Sequence, residues 1–143
     1  MESTMIKEEV EKKAFNYFAS GYNCAESVFK SIIETLSDYP DKDIIKTASG
    51  FGGGIGGCKE ELCGALAGGV MAIGYLYGRN NPGENIDKAK LFCMEYRLRF
   101  FKAFGAIKCE DILKSLGEQD NSDKCRQLTA KAGGILYELL ADS

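Results

Sequence analysis

Six cysteines, Cys24, Cys58, Cys63, Cys93, Cys109 and Cys125, are the residues of this 143-residue chain best suited to chemistry, because the chain has no histidine. Without imidazole there can be no Ser–His or Cys–His nucleophile pair, no His-containing zinc site and no His-ligated haem. Thiols can serve as nucleophiles, disulfide partners or metal ligands, and in each role the thiolate is the active form. Spacing rules out a compact local motif. No CxxC pair occurs, four residues separate Cys58 from Cys63, and fifteen separate Cys109 from Cys125, which matches neither a zinc ribbon nor a ferredoxin run. Any shared site must therefore be assembled from separate elements.

Those elements read as helices. Two prolines, Pro40 and Pro82, and seventeen glycines concentrated in the middle of the chain leave long stretches free of strand punctuation. Ile6, Val10, Ala14, Tyr17 and Phe18 form a stripe predicting a helix over 5–19, closed by Gly21 as a glycine C-cap. Asn23 and Glu26 have capping-box spacing ahead of Val28, Phe29, Ile32, Ile33 and Leu36, predicting a helix over 23–37. A short helical segment is expected at 42–48, then a Gly-rich loop over Ser49–Gly57. Residues 59–78 read as a nearly uncharged central helix, too short and too glycine-rich for a membrane span. Ile86, Ala89, Cys93, Tyr96, Phe100, Ala103 and Phe104 predict an amphipathic helix over 84–105, with Phe92, Phe100, Phe101 and Phe104 assigned to the core. Short and long helices are predicted over 110–116 and 123–141, and no strand is predicted. The fold class expected is all-α, a compact bundle of five or six helices around a Gly/Ala-rich central helix, as one domain spanning 1–143.

Placed on these elements, Cys24, Cys58, Cys109 and Cys125 fall at or within a turn of helix starts, Cys63 about a turn inside its helix, and Cys93 mid-helix as a small core residue. A helix N-terminus offers unpaired amides and the positive end of the macrodipole, which favour thiolate over thiol. Glu26, Glu60, Glu61, Glu110, Asp111 and Asp123 lie nearby in the chain and oppose that effect. Gly52, Gly54 and Gly57 satisfy GxGxxG, but no strand precedes them, so the run reads as a tight approach that lets backbone pass close to its neighbours. Ala65, Gly68, Gly69 and Ala72, with Gly64 four residues before Gly68, make a small-residue face that could receive another helix, a cofactor or a second subunit.

A 45% hydrophobic, 27% charged chain with net charge −3 is the composition of a globular protein rather than a basic nucleic-acid binder. Ser49 lies outside any nucleophile elbow, and no carboxylate pair stands apart from ordinary solvated helix faces. The first residues, MESTMIKEEVEKK, lack an apolar signal segment, so a cytoplasmic location is expected and static disulfide staples are not. The expected partner is an unidentified redox protein, with no nucleic acid and no membrane insertion; a homodimer is compatible with the small-residue helix.

CGALAG at Cys63–Gly68, together with GYNCAESV, FGGGIGG, FKAFGAIKCED and KCRQLTAKA in that order along the chain, resembles the redox-active protein family named for its C…CGAxxG…C…C pattern. The resemblance covers most of the chain. It implies that Cys24, Cys63, Cys109 and Cys125 are the family cysteines and that Gly64 and Gly68 are its helix-start glycines, leaving Cys58 and Cys93 as extras. It implies a redox role without a substrate. A more distant resemblance, to the helical part of the split-Soret cytochromes, brings an iron–sulfur centre into view; c-type haem does not transfer, for want of a CxxCH site and a histidine ligand.

The leading expectation is a redox protein in which Cys24, Cys63, Cys109 and Cys125 converge, as thiol–disulfide partners with Cys63 attacking or as ligands of an iron–sulfur cluster, with Cys58 as a substitute ligand and Gly64 and Gly68 beside the cofactor. The alternatives are a structural four-cysteine zinc site and a helical dimerisation module with inert cysteines. Whether the protein is an enzyme stays open at this point.

Overall fold

The computed structural model describes residues 2–142. Six α-helices and one 3₁₀ segment follow in order: α1 (Glu2–Ser20), α2 (Cys24–Leu36), the 3₁₀ segment (Lys42–Phe51), α3 (Gly64–Tyr77), α4 (Asp87–Phe104), α5 (Cys109–Leu116) and α6 (Asp123–Ala141). The all-α class holds, but seven helical elements replace the expected five or six. Among the described residues strand pairing is confined to one antiparallel bridge, Leu62 with Lys108.

Local chemistry sets the ends that matter. Asn23 caps α2: its side chain accepts from the Glu26 amide at 2.9 Å, and the Glu26 carboxylate accepts from the Asn23 amide at 2.9 Å. The other Glu26 oxygen accepts from Ser49 Oγ at 2.7 Å, tying the cap to the Gly-rich loop. The helix expected over 59–78 starts later, at Gly64. Long-range pairing draws the preceding residues out of it: Cys63 donates its amide to Ile107 O at 2.7 Å, and Cys109 donates to Glu61 O at 2.9 Å. Cys63 is accordingly the N-cap of α3 rather than a residue inside it, and Cys58 lies exposed in the loop, away from any helix start.

α2 and α3 run in the same direction, with Gly64 against Cys24, Gly68 against Ala25 and the Phe29 and Tyr75 rings in edge contact further along. On the small-residue face, Gly68 thus receives α2 and Gly69 receives the Tyr96 ring. α1 lies antiparallel on α6, with Lys7 beside Glu138 and Val10 and Ala14 over Gly133. α4 closes the other side of α3 through Tyr96, whose buried hydroxyl donates to Ala65 O at 2.9 Å across the space left by Gly69. Phe29, Ile32, Ile33, Leu66, Ile73, Tyr96, Phe100 and Leu136 form the centre of a continuous apolar core. Phe101, expected inside, is 51% exposed.

Two glycines of α3 separate packing from helix propensity. A Cβ at Gly68 would strike the Ala25 backbone, whereas one at Gly74 would meet nothing within 4 Å. Gly68→Ala is expected to destabilise by about 1–3 kcal/mol and Gly74→Ala to stabilise by about 0.5–1 kcal/mol, as read from urea unfolding midpoints.

Candidate thiol site

Cys24 opens α2 and Cys63 caps α3, so the parallel packing of these helices puts two N-termini and two sulfurs side by side. Gly64 makes the contact feasible: a Cβ there would collide with Cys24 Sγ. The Cys63 thiol donates to the Cys24 sulfur, and this interaction does most to lower the Cys24 pKa, to about 6, against the opposing effect of burial. The amides of Gly53, Ala25 and Cys24 itself add to the lowering. Cys63 moves the other way, well above the usual thiol range, because it holds its proton towards Cys24 and is itself desolvated; the amides of Ala65 and Leu66 only partly offset this. The two thiols are thus pushed in opposite directions, Cys24 towards thiolate and Cys63 towards thiol.

Cys109 is the first residue of α5, and Cys125 lies in the first turn of α6. Both are half-buried. Burial raises each of them first, and the Cys24 charge raises both further, which places them in its field. Lys59 opposes the rise at Cys109. Gln119 grips Cys125 from two sides, donating to its sulfur at 3.2 Å and accepting its backbone amide at 2.9 Å. Asp123 raises Cys125, while Glu26 is turned away into the α2 cap.

The Gly-rich loop forms the wall between Cys24 and Cys109. Residues 53–57 all have positive φ, between 60° and 74°, in a left-handed turn that single glycines adopt easily and Ile55 does not. The turn aims the Gly53 amide at Cys24. At Gly52 and Gly54 the backbone comes so close that a Cβ would lie 2.5 Å from the Asn23 side chain and 3.0 Å from Cys109 Cβ, respectively. The GxGxxG match is thus a close backbone approach, with no nucleotide-type strand before it. Cys58 donates to Gly54 O at 2.7 Å.

Of the residues expected to form the site, Cys24 and Cys63 are in direct contact, while Cys109 and Cys125 stand around them within electrostatic range. Among the described residues no three Cys, Asp or Glu side chains are grouped closely enough to hold a metal ion. Gly64 lies against Cys24 Sγ and Gly68 against the Ala25 backbone. Cys93 packs in α4 against the core, and its thiol is raised by burial. Gly53, Lys59 and Gln119 were not anticipated in these roles: the first lies inside a conspicuous glycine run, whereas the other two carry no local signal.

No helix of the described residues is long and apolar enough to cross a membrane. No curated protein and no solved structure matches the chain. The model of one family, described as "Putative redox-active protein (C_GCAxxG_C_C)", matches residues 22–139, a span that takes in Cys24, Cys63, Cys109 and Cys125. In this chain the central motif reads Cys63, Gly64, Ala65, Leu66, Ala67, Gly68. With the match extending over most of the chain and enclosing the whole thiol site, the protein belongs to this redox-active family.

Proposed function

We propose that the protein carries out thiol–disulfide exchange, with Cys24 as the attacking thiolate and Cys63 as the resolving thiol. The observation that carries this reading is the contact between these two sulfurs at paired helix N-termini, which draws Cys24 towards thiolate and Cys63 towards thiol. The Cys24 thiolate attacks one sulfur of a substrate disulfide, forming a mixed disulfide and expelling the other sulfur as thiolate. That thiolate takes up the Cys63 proton. Cys63 then attacks Cys24, closing the Cys24–Cys63 disulfide and releasing the second substrate thiolate. The substrate gains two electrons and the protein loses two; the reverse sequence oxidises a dithiol, the direction being set by the relative potentials.

The surrounding thiols follow in order. Closing the first disulfide removes the Cys24 charge, one of the causes that hold Cys109 and Cys125 protonated. Both then become more acidic, which primes them as a second dithiol. The contact between Cys24 and Cys63 favours thiol exchange over iron–sulfur or zinc chemistry, since it already brings a donor thiol against an acidified one.

Oxidised glutathione tests the assignment. Limited oxidation followed by alkylation and peptide mapping is expected to give a Cys24–Cys63 disulfide first, Cys63→Ser is expected to accumulate glutathione on Cys24, and Cys24→Ser is expected to lose both products. A first disulfide elsewhere, or stoichiometric iron and acid-labile sulfide in anaerobically purified protein, would overturn the reading. The pH dependence supplies a separate measurement. Since the Cys24 pKa lies at about 6, its alkylation by iodoacetamide is expected to rise through that pH and level off above it. Cys63→Ala removes the main lowering interaction, so the midpoint is expected to shift upward, and less so in Cys63→Ser, which keeps a donor. Because the folded state lowers this pKa, the associated stability is present at alkaline pH and is lost as pH falls through about 6.

A further inference from the structure

α4 has a second apolar face that the core does not use. Leu91, Met94, Leu98 and Phe101 follow steps of three and four residues and are 65%, 63%, 55% and 51% exposed. Beside this ridge a groove of about 560 Å³ runs between α3 and α4, walled by Leu62, Leu66 and Val70 on one side and by Ala89, Cys93 and Met94 on the other. Its end reaches Leu62 and Ile107, whose backbone neighbours hold Cys63 in place: the Cys63 amide donates to Ile107 O at 2.7 Å. The rim is basic. α4 carries Lys88, Lys90, Arg97, Arg99 and Lys102 against only Asp87 and Glu95, in a chain whose net charge is −3, and Glu95 is taken up by Arg99 at 3.0 Å.

We infer that this face docks an amphipathic helix of a partner protein, with apolar anchors seated in the α3–α4 groove and acidic residues along its flanks. A helix on the groove extends two-walled apolar packing, the helix-in-groove mode of recognition, and its carboxylates face Lys90 and Arg97 at the groove edge. A second copy presenting the same face would set one basic α4 against another. A flat lipid surface would cover the ridge without filling the groove. That the docked helix belongs to the redox partner rests on the dithiol reading, because the groove ends at the turn that carries Cys63; the docking chemistry itself does not.

The test uses the full chain labelled with ¹⁵N and a synthetic helical peptide with leucines at i, i+3, i+7 and i+10 flanked by glutamates, beside a companion with lysines in their place. The acidic peptide is expected to shift amides of residues 62–70 and 86–97 and to bind at least about tenfold more tightly than the basic one, the gap narrowing with salt. Met94→Asp, at an exposed position that leaves the core intact as judged by its thermal melt, is expected to weaken binding by at least about tenfold, and Arg97→Glu to erase the preference for the acidic peptide. Cys24→Ser is expected to bind as the parent does, so a failed dithiol assignment and a failed docking site give different results. Equal binding of both peptides, or shifts confined to other elements, would overturn the inference. So would a dimer in light scattering that Met94→Asp dissolves, or Met94-dependent retention on phosphatidylglycerol vesicles without peptide binding.

Discussion

The close parallel packing of α2 on α3 is the constraint from which the site follows. Helices joined by a short turn run antiparallel and put unlike ends together; here the long connection over residues 37–63 returns the chain to the start of α2, and like ends meet. The cost is that two positive dipole ends lie side by side, which a negative charge placed between them offsets. A Cys24 thiolate is such a charge, and Gly64 leaves the space in which it sits. Ala25 and Gly68 bring the backbones close enough that neither helix can shift without opening the pair.

The same packing sorts the thiols by reactivity. Four cysteines at helix starts share the same dipole, yet only Cys24 combines several amides with a neighbouring S–H donor. Desolvation dominates at Cys109 and Cys125, whereas at Cys63 the hydrogen bond donated to Cys24 comes first and desolvation adds to it. Proximity to a helix N-terminus is therefore insufficient by itself. What decides is how many donors converge on the sulfur relative to the solvent it has lost.

Much of this was legible in the sequence because it is local. The Asn23–Glu26 cap, the Gly21 stop and the apolar stripes of α1 and α2 are short-range patterns, and the structure reproduces each. The start of α3 was not legible, because residues 59–63 are uncoupled from helix by hydrogen bonds to residues 107–110, more than forty positions away. That non-local pairing also accounts for the misplaced helix starts at Cys58 and Cys63. The opposite shifts of Cys24 and Cys63 depend on the contact between their two sulfurs, with the Gly53 amide adding to it, and that is a property of tertiary packing. Phe101 failed as a core residue because α4 is apolar on two faces, and periodicity alone does not say which face is covered.

The loop joining these thiols stores strain where it is functionally placed. Ile55 and Lys59 sit at φ of 62° and 68°, conformations costing about 1–3 kcal/mol each for side chains of this kind. Hydrogen bonds hold the loop against that strain: Lys59 donates to Gly53 O at 2.9 Å, and Glu110 donates to Lys59 O at 2.8 Å. Gly53 is the residue whose amide lowers Cys24, and Glu110 follows Cys109 in α5. The loop is thus fastened at one end to the charged thiol and at the other to the element bearing the next one.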